Sequence, residues 1–460
     1  MNLLFFSDNS NKIFTNDKNG ATIGMILLNE RRPTMKSLGI KPLKNLDIDN
    51  FITKNNLFVI LNGVPANFIF SDNFVDNIDK YKDVFLRYNM QENIFFSCKA
   101  NKSLALLDIA AKEKCGVEVS SYYELRDALK YTKKIIASGP AKDEKYLSMA
   151  IENESIISVD DIEELKQILV FNKPVNILIR ISDLLGITSR FGINISQIDR
   201  CIEMIRNTKI NLLGFSFHIN NYDLNDRIHA INQIINIVKQ KNLKIKYIDI
   251  GGGIPINYCT KEDYYNFMEK INKNMFFKEK EINDFYPYYN ELAGAEALDY
   301  ILKNIKCNIE NIQIIIEPGR SLLNNCGISI YEVQYVKRLS NGDNLVVTNG
   351  NINCLSEQWF NTDYLIEPLL YKKSKSIKAK KIIASVCGNL CLEQDMITWR
   401  KIEFKDTPEK GDLLIYYNTA GYQMDSNESM FHKIPLIEKY IVNKNDNKYR
   451  IRKDVSYDSK

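Results

Sequence analysis

The sequence predicts an α/β fold: a (β/α)8 TIM barrel followed by a mostly β C-terminal domain. Two observations carry this. From about residue 94, short β-branched or aromatic runs alternate with helical patterns, and there are eight such runs. After about residue 328 the helical patterns thin out and strand-like runs follow one another. Regular strand–helix alternation means parallel strands joined by crossover helices. Eight units are the number that closes a barrel of roughly 250 residues. A doubly wound open sheet is the alternative, which periodicity alone does not separate from the barrel.

The strand candidates, in order, are "IFFSCK" (94–99), "GVEVSS" (116–121), "KIIASG" (134–139), "SIISVD" (155–160), "VNILIRI" (175–181), "LLGFSFHI" (212–219), "KYIDIGG" (246–252) and "IQIIIEP" (312–318). Amphipathic stretches lie between them, such as "LALLDIAAKEK" (104–114), "YELRDALKY" (123–131), "IEELKQILVF" (162–171) and "LNDRIHAINQIINIVKQK" (224–241). Segment 254–290, rich in Tyr and Phe, reads as an insertion over the barrel mouth. Beyond the barrel, "ISIYEVQYVKRL", "NLVVTNG", "KIIASVCG" and "DLLIYYNTAGYQM" read as strands. The expected division is 1–65, packing on the β domain; 66–328, the barrel; and 329–460, the β-rich domain.

Composition narrows the function classes. The 460 residues carry 61 basic and 57 acidic side chains, so the formal net charge is only +4. That balance gives no support to nucleic-acid binding. Three histidines and nine scattered cysteines without a CxxC pair argue against a metal site and fit free thiols in a reducing cytoplasm. The apolar stretch in "MNLLFFSDNSNK" is short for a signal peptide, and no apolar run approaches the ~18 residues that span a membrane. The basic run "YKKSKSIKAKK" (371–381) reads as a solvated loop.

In a barrel of this kind the chemistry sits at the C-terminal ends of the strands. The unusual residues gather there: Lys99 after the first strand, Arg180 on the fifth, His218 on the sixth, Gly251, Gly252 and Gly253 after the seventh, and Glu317, Pro318, Gly319 and Arg320 after the eighth. Each alone has an ordinary structural reading; five groups at one rim do not. Consecutive glycines let backbone N–H groups approach an anion. A partly desolvated lysine has a lowered pKa and can attack an aldehyde to form a Schiff base. An acid can hold a protonated pyridine nitrogen, and a flat imidazole can stack on an aromatic ring. Together these describe a pocket for pyridoxal 5′-phosphate.

At the same residues the chain resembles the fold-type III pyridoxal-phosphate decarboxylases, which include diaminopimelate, ornithine and arginine decarboxylases. "FSCKAN" resembles the family's lysine motif and "GVEVSSYYEL" (116–125) the segment after it. "FSFHINN" (215–221), "DIGGG" (249–253), "EPGR" (317–320), "CGNLCLEQD" (387–395) and "AGYQMDSNESMFH" (420–432) follow in the family's order. The resemblance implies an alanine racemase-like barrel, with Lys99 in the Schiff-base position. It implies Ser216 and His218 as phosphate-side and ring-stacking residues, and Tyr422 near the phosphate. It implies a homodimer with shared sites, in which Cys391 reaches the partner's cofactor and returns a proton to Cα after CO2 leaves.

Two departures bear on the substrate. In diaminopimelate and ornithine decarboxylases an acid directly follows the motif cysteine; here that position is Leu392, with Glu393 and Asp395 nearby as candidate substrate ligands. The "RPxLY"-like segment of diaminopimelate decarboxylases is "EPLLY" (367–371) here, with Glu367 in place of arginine. The late tyrosine motif is similar to that of family members in siderophore pathways, which act on conjugates such as citryl-diamino acids. The competing readings are a plain diaminopimelate or ornithine decarboxylase, an amino-acid racemase on the same scaffold, a regulatory homologue without catalysis, and an unrelated barrel enzyme on phosphorylated sugars.

Overall fold

A computed structural model describes residues 39–454, apart from 187, 282–284, 306–310, 356–363, 375–379 and 447. The segment 1–38, and with it most of the expected N-terminal segment, lies outside the described residues, as do parts of the 254–290 insertion and of the 371–381 loop.

The eight expected barrel strands all form: β2 (Phe95–Ser97), β3 (Gly116–Val119), β4 (Ile135–Ala137), β5 (Ile156–Val159), β6 (Val175–Arg180), β7 (Ile210–Ser216), β8 (Tyr247–Asp249) and β9 (Gln313–Ile315). They pair in sequence order, all parallel. The ring closes between its ends: Ile94 bridges Ile316, Phe95 N–H donates to the Ile316 carbonyl at 2.9 Å, and Ser97 N–H donates to the Pro318 carbonyl at 3.3 Å. The open-sheet alternative is thereby removed.

Crossover helices form the outer layer, among them α4 (Leu104–Lys112), α5 (Tyr122–Ala128), α6 (Glu144–Glu152), α7 (Ile162–Val170), α9 (Leu224–Gln240) and α11 (Ala295–Ile305). Ser121, Asp143, Asp161 and Asp223 start α5, α6, α7 and α9 by accepting a first-turn backbone N–H.

The interior follows from the period of two along each strand. Phe95, Ile136, Leu178 and Ile315 form one apolar cluster inside the ring, with Ile156, Leu213 and Tyr247 against it. Gly116 belongs to the same layer: a Cβ there would strike the Phe95 ring, so only glycine leaves room for it. Two residues further along the strands the same face becomes polar, with Ser97, Glu118, Ser138, Ser158, Arg180, Ser216, Asp249 and Glu317. The barrel is therefore plugged below and polar above, at its C-terminal end.

The second sheet runs β14 (Met396–Phe404), β13 (Ile382–Cys387), β11 (Asn344–Thr348), β10 (Gly327–Arg338), β1 (Ala66–Phe70), β16 (Glu438–Asn445) and β17 (Lys448–Lys453). β15 (Leu413–Tyr417) pairs with β10 and with β12 (Leu369–Tyr371). One difference from the sequence reading stands out. Ala66–Phe70 falls in the span expected to open the barrel, yet it pairs antiparallel with β10 and parallel with β16. Its five residues are all buried, so the strand shows no alternation that would reveal which sheet it joins. Helices α1 (Leu46–Lys54) and α2 (Leu57–Leu61) pack on this sheet, with the Phe51 ring 5.3 Å from Phe68 and 5.2 Å from Phe70. The described part of the insertion, including α10 (Lys261–Lys270), buries Tyr258, Phe267, Phe276 and Tyr288 in one cluster with Tyr331, Val346 and Tyr416 of the second sheet.

Candidate active site

The polar end of the barrel holds most of the residues expected there. Lys99 sits in a single 3-10 turn after β2, and its side chain is 46% exposed. Its Nζ lies 3.2 Å from Oε2 of Glu118, a carboxylate with 1% exposure. Glu118 also accepts from Ser97 Oγ at 2.5 Å, from Ser120 Oγ at 2.8 Å and from Ser138 Oγ. Burial opposes its ionisation, but Lys99 and the three hydroxyls outweigh burial and hold it down at about 2. The consequence for Lys99 corrects the sequence reading. Burial by itself lowers the amine, as expected; Glu118, then Tyr422 and Glu317, more than reverse that, and Lys99 stays charged well above the ordinary lysine range. Glu118 is the one acid in the apolar strand "GVEV", and that placement was the signal for it.

This gives a first expected result. Glu118→Gln removes the charge that holds Lys99 protonated, so the pH midpoint for capture of pyridoxal phosphate by the amine moves down by about one unit or more. Stopped-flow absorbance of cofactor capture across pH 6–10 reads it. An unmoved midpoint would show that Glu118 does not govern the amine.

At the far side of the cavity, Asp249 and Glu317 end β8 and follow β9. Asp249 is buried and accepts Gly251 N–H at 2.9 Å. Burial, opposed by hydrogen bonds from Gly251 and Glu317, raises Asp249 to about 7. Burial and the adjacent Asp249 raise Glu317 well above the carboxylate range. The pair therefore shares a proton near neutral pH.

His218 lies two residues past the end of β7, at the open rim. The surrounding protein, then the charges of Lys99, Arg180 and Arg227, hold it unprotonated, at about 3. Arg180 donates to Asp160 at 3.1 Å, and its guanidinium lies 4.7 Å from the Phe191 ring centre. Ser216 and Ser158 share a hydrogen bond of 2.9 Å.

The glycine loop is tightly enclosed. A Cβ on Gly252 would lie 2.7 Å from the Glu317 carbonyl, and Gly251 has φ +67 with His218 Nδ1 against it. Gly251 N–H is used by Asp249, but the backbone N–H groups of Gly252, Gly253 and Ile254 have no acceptor among the described residues. Gly319 faces the Tyr422 hydroxyl, which would be 3.0 Å from a Cβ there. Arg320 is held by the Tyr258 hydroxyl at 2.7 Å, with its guanidinium 4.3 Å from the centre of the Tyr286 ring and 5.0 Å from that of Tyr422. The Tyr422 backbone N–H donates to Ala100 at 2.8 Å.

These residues fit pyridoxal 5′-phosphate on the donor chemistry alone. Unused N–H groups meet an anion, the Lys99 amine meets an aldehyde, the unprotonated His218 ring meets an aromatic face, and the acidic pair meets a basic ring nitrogen. When bound, the cofactor supplies the electron sink for the pair left by the breaking Cα–carboxylate bond. With the cofactor bound, Lys99 would offer the amine, the unused N–H groups of the glycine loop with Arg320 would hold the phosphate, and Asp249 with Glu317 would hold a proton at the ring nitrogen.

Three expected residues are not in this cluster. Cys391 is exposed in the turn between β13 and β14, beside Leu392, which is 43% exposed. Glu393 pairs at the surface with Lys278 at 2.6 Å. Asp395 is buried; its carboxylate accepts Leu390 N–H at 2.6 Å and Ile352 N–H at 2.8 Å, which organises the turn.

The match to a family model for the pyridoxal-dependent decarboxylases, pyridoxal binding domain, runs over residues 72–324. A protein from Sinorhizobium fredii described as uncharacterised protein y4yA is 30% identical over 402 residues, covering 83% of this chain and 88% of that one. Diaminopimelate decarboxylase of Aquifex aeolicus is 25% identical, covering 86% and 90%. Among solved structures, diaminopimelate decarboxylase from Methanocaldococcus jannaschii with L-lysine superposes with a TM-score of 0.68 at 20% identity, covering 88% and 93%. A lysine/ornithine decarboxylase from Vibrio vulnificus with putrescine superposes at 0.66 and 17% identity, covering 86% and 98%. The polar barrel end and the family match lead to one conclusion: the chain belongs to the pyridoxal-dependent decarboxylases and is a pyridoxal-phosphate-dependent carboxy-lyase acting on amino-acid substrates.

Proposed function

We propose that the chain removes the α-carboxylate of an amino-acid conjugate, such as a citryl-diamino acid of a siderophore route, rather than of free diaminopimelate. The single observation that carries this is the state of Glu367. Where diaminopimelate decarboxylases offer an arginine to a distal carboxylate, this chain has an acid, and that acid is bound to the fully buried Arg400 at 3.2 Å. Leu392 stands, exposed, where relatives have an acid for a distal amine. Both changes remove recognition of a small zwitterionic end and suit a larger, differently charged one. The relatives at 25% identity are diaminopimelate decarboxylases, so that substrate is the second reading. CO2 release from a panel of free and citryl-conjugated diamino acids tests it; turnover of diaminopimelate with the highest kcat/KM would overturn it.

The working unit in this proposal is a cytoplasmic homodimer. Cys391 of one copy serves as proton donor at the cavity of the other, with Glu393 and Asp395 near the substrate's distal end. The β-rich domain, with its N-terminal segment, carries the turn that delivers it, and the barrel holds the cofactor. The exposed position of Cys391, apart from its own chain's Lys99 cluster, supports this division. Lys99→Ala and Cys391→Ala are each expected to be inactive alone. Mixed after mild dissociation, they should regain up to about a quarter of wild-type activity, because one in four of the sites formed is intact when subunits pair at random. No recovery on mixing, with dimers confirmed, would overturn the shared site.

A further inference from the structure

α9 carries a buried arginine that lies outside the site motifs named above. Arg227 sits on the apolar stripe of that helix, with Leu224, Ile228 and Ile231, and is 0% exposed. Its Nη2 donates to the carbonyls of Ile219 at 3.1 Å, Gly253 at 3.1 Å and Gly252 at 3.5 Å. Its Nη1 donates to the Asp223 carbonyl at 3.2 Å and to Asn221 Oδ1 at 3.5 Å. Burial brings the guanidinium down only to about 10, so it is charged at neutral pH.

Two features set this arginine apart. First, Asp223 and Asp226 favour its charge, but among the described residues no carboxylate comes within ion-pair distance of it, although other buried charges are directly paired. Second, it grips the loop from behind. A peptide's N–H and carbonyl point in opposite directions. Drawing the Gly252 and Gly253 carbonyls toward α9 therefore turns the N–H groups of Gly253 and Ile254 away from it, and these are the donors left without acceptors. A Cβ on Gly253 would strike Nη2, so the loop can approach the arginine only as glycine.

We propose that Arg227 is a positioning residue for the cofactor's phosphate: by holding the Gly252 and Gly253 carbonyls it aims the Gly253 and Ile254 N–H groups at a phosphate across the loop. The effect is confined to the phosphate, so the test compares pyridoxal 5′-phosphate with pyridoxal, which has the same aldehyde and ring but no phosphate. Full-length chain stripped of cofactor is titrated with each by absorbance. Arg227→Met is expected to weaken pyridoxal 5′-phosphate at least ~30-fold while changing pyridoxal less than ~3-fold, and Arg227→Lys to recover part of the loss. Equal losses for both ligands, or an unchanged affinity for the phosphorylated one, would overturn the role. Should Arg227→Met fail to fold, Arg227→Lys carries the test alone, with a loss of ~5- to 10-fold expected on the phosphorylated ligand only. A wild-type chain that binds the two ligands equally would instead overturn the cradle itself, before any variant is read.

Discussion

Lys99→Ala is expected to lower kcat/KM by at least ~10³-fold if, as proposed, this amine holds the cofactor covalently and exchanges with substrate. The purified variant should also lose the absorbance band of lysine-bound pyridoxal. The fold should persist. Glu118, left behind in the barrel, keeps its hydrogen bonds from Ser97, Ser120 and Ser138. Added methylamine should restore a measurable part of the activity, because a free amine can enter a cavity in which the lysine side chain is 46% exposed. Activity within tenfold of wild type would remove Lys99 from the reaction.

Glu317→Gln is expected to lower kcat by ~10²-fold with KM little changed, because an amide carries no charge with which to hold a proton on the ring nitrogen. The same variant has a second readout that needs no substrate. In the cofactor-free chain Asp249 is raised to about 7 and Glu317 is raised as well. Both bind protons more tightly folded than unfolded. Their stabilising contribution is therefore complete below the unfolded carboxylate range near 4; that of Asp249 is lost as pH rises through about 7, and that of Glu317 as it deprotonates well above the ordinary carboxylate range. The melting temperature of the cofactor-free wild type should fall across that window, and Glu317→Gln should fall less steeply. Wild-type kcat, or an identical slope, would show that the pair is not coupled as described.

Much of the site is legible along the chain because a barrel strand has a period of two and its C-terminal end is the working end. "IFFSCK" places Phe95 in the plug and Ser97 above it by counting, and Lys99 follows in the 3-10 turn beyond the strand. The same count sets Ile315 below Glu317 and Tyr247 below Asp249. The motifs do not single out Asp249 or Glu118. Their signal, an acid within a buried apolar strand, was present in "KYIDIGG" and "GVEVSS". Arg227 had a similar signal, a charge on the buried stripe of an amphipathic helix.

What the sequence determined by itself is the set of eight strand ends and the identity of the side chains on them, since alternation and strand–helix order are local properties. Only the tertiary structure decided the charge states and the partners. Lys99 keeps its proton because Glu118, 19 residues away, stands on the neighbouring strand β3 with its carboxylate 3.2 Å from the amine. Asp249 meets Glu317 because β8 and β9 are adjacent. Cys391 stands apart from its own Lys99 because the turn between β13 and β14 belongs to the other sheet. Burial and through-space charge depend on which strands become neighbours, and no window of sequence contains that.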